Sequence, residues 1–177
     1  MNWKTVSKEY IHKSNFLNLI LDTSIHPTLG KHQFYRINLS NWVNVVAINK
    51  DGDFILVKQF RHGTKKITYE VPAGAIDKGE EPKSAAIREL TEETGYTGNP
   101  IYLGKVEVNP AILSNYCYFY LVLDCELVSK QCLDATEDIK VLHLKKERVK
   151  QMLASEEINH SLVSLALYKA FDFLQKK

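Results

Sequence analysis

The alternation of apolar and polar residues divides the chain into a strand-rich first part and a second part where helical spacing enters. Residues 3–10, 17–23 and 33–39 are rich in Ile, Leu, Tyr and Phe and predict three strands, the last two joined by a turn at Pro27–Gly30. Residues 42–48 (WVNVVAI) and 54–58 (FILVK) predict two more, apolar at nearly consecutive positions and so expected to be buried on both faces. Between them, Asp51-Gly52 is suited to the positive φ angles of a tight hairpin. A strand over 67–71 runs into a turn at Pro72-Ala73-Gly74, after which the spacing becomes helical over 82–94. Pro82 suits the first turn of that helix and Gly95 its carboxyl-terminal cap. Strands over 101–108, 117–123 and 139–144 follow, then helices over 145–154 and 161–175. The last helix puts Leu162, Leu165, Ala166, Ala170, Phe171 and Leu174 on a core-facing stripe. Strands and helices mix without strict βαβ alternation, which predicts an α/β sheet-and-helix sandwich rather than a doubly wound fold.

With 177 residues, 45% of them hydrophobic, the chain is long enough for one domain, or one with a small appended piece, around a filled core. A formal net charge of +2 leaves no basic footprint for nucleic acid or for a membrane surface. No run of about eighteen apolar residues predicts a membrane span. The histidines show no metal-ligand spacing, and Cys117, Cys125 and Cys132 form no CxxC pair. An odd cysteine count and a charged first segment predict reduced thiols and a cytoplasmic protein.

Chemistry concentrates in Gly74–Tyr96, GAIDKGEEPKSAAIRELTEETGY. At about 100° per residue, Glu89, Glu92 and Glu93 fall within one arc of roughly 100° on the helix. Like charges so placed repel, and the only nearby cation is Arg88, four residues before Glu92 in the less favourable order. A hard divalent cation would neutralise the cluster, whereas the bland reading is an acidic, solvated helix face. Ala85 and Ala86 are expected near the acidic face, leaving room for a loop or ligand, while Ile87 and Leu90 hold the helix on the core. Gly74 and Gly79 break the preceding segment into a loop able to present a backbone carbonyl as a further ligand.

The stretch resembles the Nudix box: glycine, five residues, Glu, seven residues, then Arg-Glu-aliphatic-x-Glu-Glu-x-Gly and an apolar residue. Gly74, Glu80, Arg88, Glu89, Leu90, Glu92, Glu93 and Gly95 stand where the pattern asks, and Tyr96 fills a slot that is usually aliphatic. The resemblance implies an α/β/α sandwich with a mixed sheet and a Mg²⁺-dependent pyrophosphohydrolase, Mn²⁺ being a possible substitute. It implies Glu89, Glu92 and Glu93 as metal ligands together with the carbonyl of Ala73. Arg88 would orient a carboxylate, and Glu80 would fix the geometry of loop and helix.

Outside the box, Trp42–Val46, Gln59-Phe60-Arg61, Glu70–Gly74 and Asn109-Pro110-Ala111 are similar to the branch that cleaves ADP-ribose and nucleoside-diphosphate sugars. In that branch an amino-terminal strand unit, here 1–40 before a hydrolase domain at 41–177, exchanges across a homodimer; the alternative is that these strands only extend one sheet. Arg61 suits a diphosphate through paired hydrogen bonds, or is an ordinary surface arginine. Trp42 stacks on a base or sugar, or is a core residue. Pro110 matches a proline that the branch carries. Glu137, in the loop before the strand at Ile139, matches the branch's general base, with Asp134 and Glu92 as substitutes. Glu137 could also be a metal ligand or solvate its loop, because Ala135 stands where some members have a second glutamate. Three functions remain: cleavage of ADP-ribose or a nucleotide sugar; the same chemistry on dinucleoside polyphosphates, coenzyme A or nucleoside triphosphates; and nucleotide sensing without cleavage.

Overall fold

The computed structural model describes residues 2–176. The chain forms two compact units: one runs up to Asn41 and includes Val106–Tyr116, and the other comprises Trp42–Lys105 and the chain from Cys117 onward.

The smaller unit is an antiparallel meander of β1 (Lys4–Lys13), β2 (Leu17–His26) and β3 (Gly30–Leu39). The β2–β3 register runs unbroken from Leu17↔Leu39 to His26↔Gly30. Its turn closes with Gly30 at φ 80° and with the amides of Thr28 and Leu29 donating to Nδ1 of His26, each at 3.3 Å. All ten residues of β1 are exposed. Residues 106–116 return to this unit, a pairing that no local pattern announces. The Ile37 amide donates to the Ile112 carbonyl (2.8 Å), and Nδ2 of Asn115 donates to the Ser40 carbonyl (3.0 Å). Pro110 opens a turn within that segment, closed by the Leu113 amide on the Asn109 carbonyl at 2.7 Å.

The larger unit is built on a mixed sheet, in the order β11 (Ile139–Leu144), β5 (Phe54–Arg61), β4 (Trp42–Asn49), β10 (Tyr116–Leu127), β8 (Tyr96–Thr97). Three further strands pair off this path: β6 (Lys66–Glu70) on β5, β7 (Ala73–Ala75) on β4 and β9 (Pro100–Glu107) on β10. Strands β4 and β10 run parallel, from Cys117↔Trp42 onward. The short β7 and β8 lie outside the sequence expectation, since a strand of two or three residues is too short to show a period.

Helices α1 (Pro82–Thr94) and α3 (Ser161–Gln175) have the expected bounds, and α2 (Lys146–Ala154) starts one residue late. Strand β4 is buried on both faces, as its continuous apolar run requires. One face, Val43, Val45 and Ala47 with Ile55, packs against Ala85, Ala86 and Leu90 of α1. On the other, the Phe54 ring meets Phe171 of α3 at 5.5 Å. Helices therefore cover both faces of the sheet, an α/β/α sandwich.

Two local expectations change. Ala85 and Ala86 are wholly buried against the sheet, so the small size expected to leave room for a loop or ligand instead lets the helix pack close to the strands. At the β4–β5 hairpin only Gly52 takes a positive φ (77°). Oδ1 of Asn49 accepts the amides of Asp51 (3.0 Å) and Asp53 (2.8 Å), and the longer loop this closes spares Asp51 the left-handed conformation.

Candidate active site

Strand β7, the loop after it and α1 form one hydrogen-bonded body around Arg88. Pro82 occupies the first turn of α1, and Gly95 ends it at φ 77° with its amide on the Thr91 carbonyl at 2.8 Å. Arg88 forks onto Glu80 through Nε and Nη2, each at 2.9 Å. Its Nη2 also donates to the Ala75 carbonyl at 3.0 Å, and Nη1 to Glu89 (2.8 Å) and Glu92 (3.0 Å). Glu80 in turn accepts the Asp77 amide at 3.0 Å, which closes the turn that Gly79 completes at φ 86°. The loop and the acidic helix are thus tied by one guanidinium, whose proton these carboxylates, Glu80 foremost, hold more tightly than usual.

Gly74 has a steric reason. A Cβ there would overlap the Glu89 carboxylate, which lies against the β7 backbone. Glu93 is 3% exposed, and its Oε2 accepts the Ala73 amide at 3.0 Å. Helix and strand are therefore joined at Ala73, whose carbonyl the resemblance to the Nudix box implies as a ligand.

The electrostatics are short of positive charge. Burial pushes Glu89 up to about 7; Arg88 opposes this, and the charges of Glu92 and Glu137 add to it. Burial also pushes Glu93 up to about 8, against the Ala73 amide and with Glu89 and Glu137 adding repulsion. Among the described residues no three His, Cys, Asp or Glu side chains converge as a ready metal site. Glu89 and Glu92 are drawn onto Arg88 and Glu93 onto the Ala73 amide, which spreads the cluster.

Arg61 ends β5 in a forked pair with Glu70, a residue outside the sequence-based site: Nε to Oε1 at 2.8 Å and Nη2 to Oε2 at 2.7 Å. Thr68 adds its hydroxyl to Glu70 at 2.6 Å. Burial works against the Glu70 charge, and the bonds from Arg61 and Thr68 outweigh it, so its carboxyl is held below the ordinary range. Arg61 feels the charges of Glu93 and Glu137, which places it on the side of the acidic cluster. Glu137 lies in a small turn, its carboxylate accepting the Asp134 amide and its own amide donating to the Asp134 carbonyl, both at 3.0 Å. Trp42 is half-buried at the start of β4, paired with Ala75 and Cys117. Arg61, Arg88, Glu89, Glu92, Glu93 and Glu137 thus belong to one electrostatic neighbourhood, whereas Pro110 belongs to the smaller unit.

The NUDIX domain model matches residues 40–160, well over half of the chain. The chain belongs to the Nudix family. Its Nudix box is the loop–helix body around Arg88, and the family's catalytic action is hydrolysis of phosphoanhydride bonds in nucleotide substrates. Over 166 residues it is 28% identical to an ADP-ribose pyrophosphatase of Bacillus subtilis (strain 168), covering 93% of this chain and 90% of that one. Over the same length it is 26% identical to a methanol dehydrogenase activator of Bacillus methanolicus, with the same coverage. A crystal structure of an ADP compounds hydrolase superimposes with a TM-score of 0.87 over 99% of this chain and 96% of that chain, at 21% identity, and this likeness concerns the fold. Among the described residues no helix is long and apolar enough to cross a membrane.

Proposed function

We propose that this Nudix protein hydrolyses the diphosphate of ADP-ribose or of a nucleoside-diphosphate sugar, releasing a nucleoside monophosphate and a sugar phosphate. The observation that carries the reading is the acid excess around Arg88. A single guanidinium is shared by Glu80, Glu89 and Glu92, while Glu93 is buried on the Ala73 amide.

Such a set of hard oxygen donors fits Mg²⁺, with Mn²⁺ as substitute, held by Glu89, Glu92, Glu93 and the Ala73 carbonyl. Bound there, the metal would neutralise the diphosphate and lower the pKa of an attacking water. The remaining work falls to the chain. Gly74 lets Glu89 lie against the β7 backbone, and Arg88 holds Glu89 and Glu92 on one side of the helix. Arg61, fixed by Glu70 through Nε and Nη2, would offer Nη1 to a phosphoryl oxygen. Glu137 would take the proton of the attacking water. Its charge already acts on Glu89 and Glu93, which supports its assignment ahead of Asp134. Trp42 would contribute to the base and sugar end of the substrate.

A homodimer assembled through the strand unit of residues 1–40 accords with the exposure of Val6, Tyr10, Ile11, Phe16, Phe34 and Tyr35, apolar groups that a monomer would leave in water. Reduced cysteines accord with a cytoplasmic setting: Cys117, Cys125 and Cys132 are all free.

Similarity alone does not choose the substrate or even cleavage, because a pyrophosphatase and an activator match equally well in length. The complete set of box glutamates favours cleavage over sensing. The test is a product assay on ADP-ribose and GDP-mannose with Mg²⁺, beside Glu93→Gln. Monophosphate release that the variant loses is the expected result. A folded, Mg²⁺-binding protein that releases nothing, or that turns over a nucleoside triphosphate fastest, overturns the reading.

A further inference from the structure

The carboxyl end of α1 needs partners that the helix itself does not supply. The last carbonyls of a helix have no successor amides, and here those of Glu92 and Glu93 fall on the acidic turn. The segment between β10 and β11 supplies the partners. The Cys132 amide donates to the Glu92 carbonyl at 2.9 Å. The side-chain Nε2 of Gln131 donates to the Glu93 carbonyl at 2.6 Å and to the Ile139 carbonyl at 3.1 Å. Just before them, the amides of Val128 (2.9 Å) and Ser129 (3.3 Å) both donate to the Gly95 carbonyl. Gly95 permits this approach, since a Cβ there would overlap the carbonyl oxygen of Ser129.

Gln131 therefore bridges the helix that bears the acidic cluster and the first residue of β11. The residues between its two anchors, 132–138, form a closed loop, and Glu137 lies near its exit. One amide group thus sets where that loop begins and ends. Only a side chain with two donor hydrogens directed at two carbonyls serves here; an acceptor or an apolar chain of similar length does not.

We propose that Gln131 is a positioning residue for the reaction, pinning the Glu137 loop to the carboxyl end of α1 so that Glu137 is held beside the acidic cluster. The catalytic consequence rests on the reading of Glu137 as the base, whereas the pin itself does not.

The test compares the full chain with Gln131→Met, Gln131→Lys and Glu137→Gln. Amide hydrogen exchange is followed over residues 128–138, and kcat and KM are measured on ADP-ribose with Mg²⁺. Methionine keeps the length and loses both donors. Lysine restores donors at a helix end where a cation is favoured. Gln131→Met is expected to speed exchange at Cys132 about tenfold, in keeping with two lost hydrogen bonds. Its kcat is expected to fall roughly tenfold with KM within about twofold, while Gln131→Lys stays near the parent in both readouts. Parent-like exchange and kcat in Gln131→Met overturn the proposal, as does an equal loss of kcat in both Gln131 variants with exchange unchanged. Full activity in Glu137→Gln would remove Glu137 as base; faster exchange in Gln131→Met would then still support the pin.

Discussion

Two arginines flank the acidic cluster, and they differ in how their charge is balanced. Arg61 meets one buried glutamate in a matched fork, two nitrogens on two oxygens, and the Glu70 carboxyl stays ionised below its ordinary range. Arg88 is spread over Glu80, Glu89 and Glu92, and Glu89 and Glu93 are nonetheless pushed up to about 7 and about 8. The first arrangement is neutral and complete, and serves to hold a guanidinium in place. The second has more carboxylates than cations, so it gains from a further positive charge. A balanced pair fixes a side chain in place, while an unbalanced cluster marks a place where a cation binds.

Removing an acid from the unbalanced side should separate function from stability. Glu93→Gln is expected to lower kcat at least roughly a hundredfold while the melting temperature without divalent cations holds or rises, because a buried group that resists ionisation has been made neutral. A parallel fall in melting temperature would show that Glu93 is framework too. On the balanced side stability is expected to suffer as well as function. Arg61→Ala should cost about 2 kcal/mol of stability by denaturant unfolding, less than a fully buried pair because the Arg61 side chain is 36% exposed. Adding Glu70→Gln should recover part of that loss, and a double-mutant cycle with no coupling would break the contrast between the two arginines.

Gly95→Ala forces a left-handed residue to carry a Cβ that meets the Ser129 carbonyl. We expect a loss of about 1–2 kcal/mol by thermal unfolding and faster exchange over residues 128–138. A further effect is one of pH. With divalent cations chelated, Glu89 and Glu93 bind protons more tightly folded than unfolded, so their contribution to stability falls as pH rises from about 5 through their folded values of about 7 and about 8. Glu70 has the opposite sign: its contribution is present above its unfolded value and is lost as pH falls through the lower folded one. The melting temperature should therefore decline from pH 5 to pH 8 in chelator and flatten with Mg²⁺. A rise over that range in chelator would mean that the acidic cluster is already neutralised by the protein.

The legible parts of the molecule are those set by short-range rules. Pro82 and Gly95 bound α1 as read, because a first-turn proline and a left-handed cap act within a few residues. The consecutive apolar residues of β4 announced burial on both faces for the same reason. The small size of Ala85 and Ala86 serves close packing on the sheet rather than access for a ligand, because helical angle alone does not say what covers a small residue. The sequence shows no role for Glu70, beyond its place in the Glu70–Gly74 motif, or for Gln131. Glu70 looks like the start of a turn motif and Gln131 like any polar loop residue, until Arg61 and the end of α1 are brought against them.

By itself, then, the order of residues determined the elements, the α/β class, the box and its excess of acid. These follow from periodicity, capping and local charge, which act along the chain. Only the tertiary structure decided that Arg61 is matched by Glu70 and Arg88 shared by Glu80, Glu89 and Glu92, that residues 106–116 return to the amino-terminal strands, and that the Glu137 loop completes the hydrogen bonds of α1. Apart from the bonds of Arg88 to its near neighbours Glu89 and Glu92, those contacts join residues that lie outside one another's local pattern, and their partners are chosen by burial and unmet hydrogen bonds.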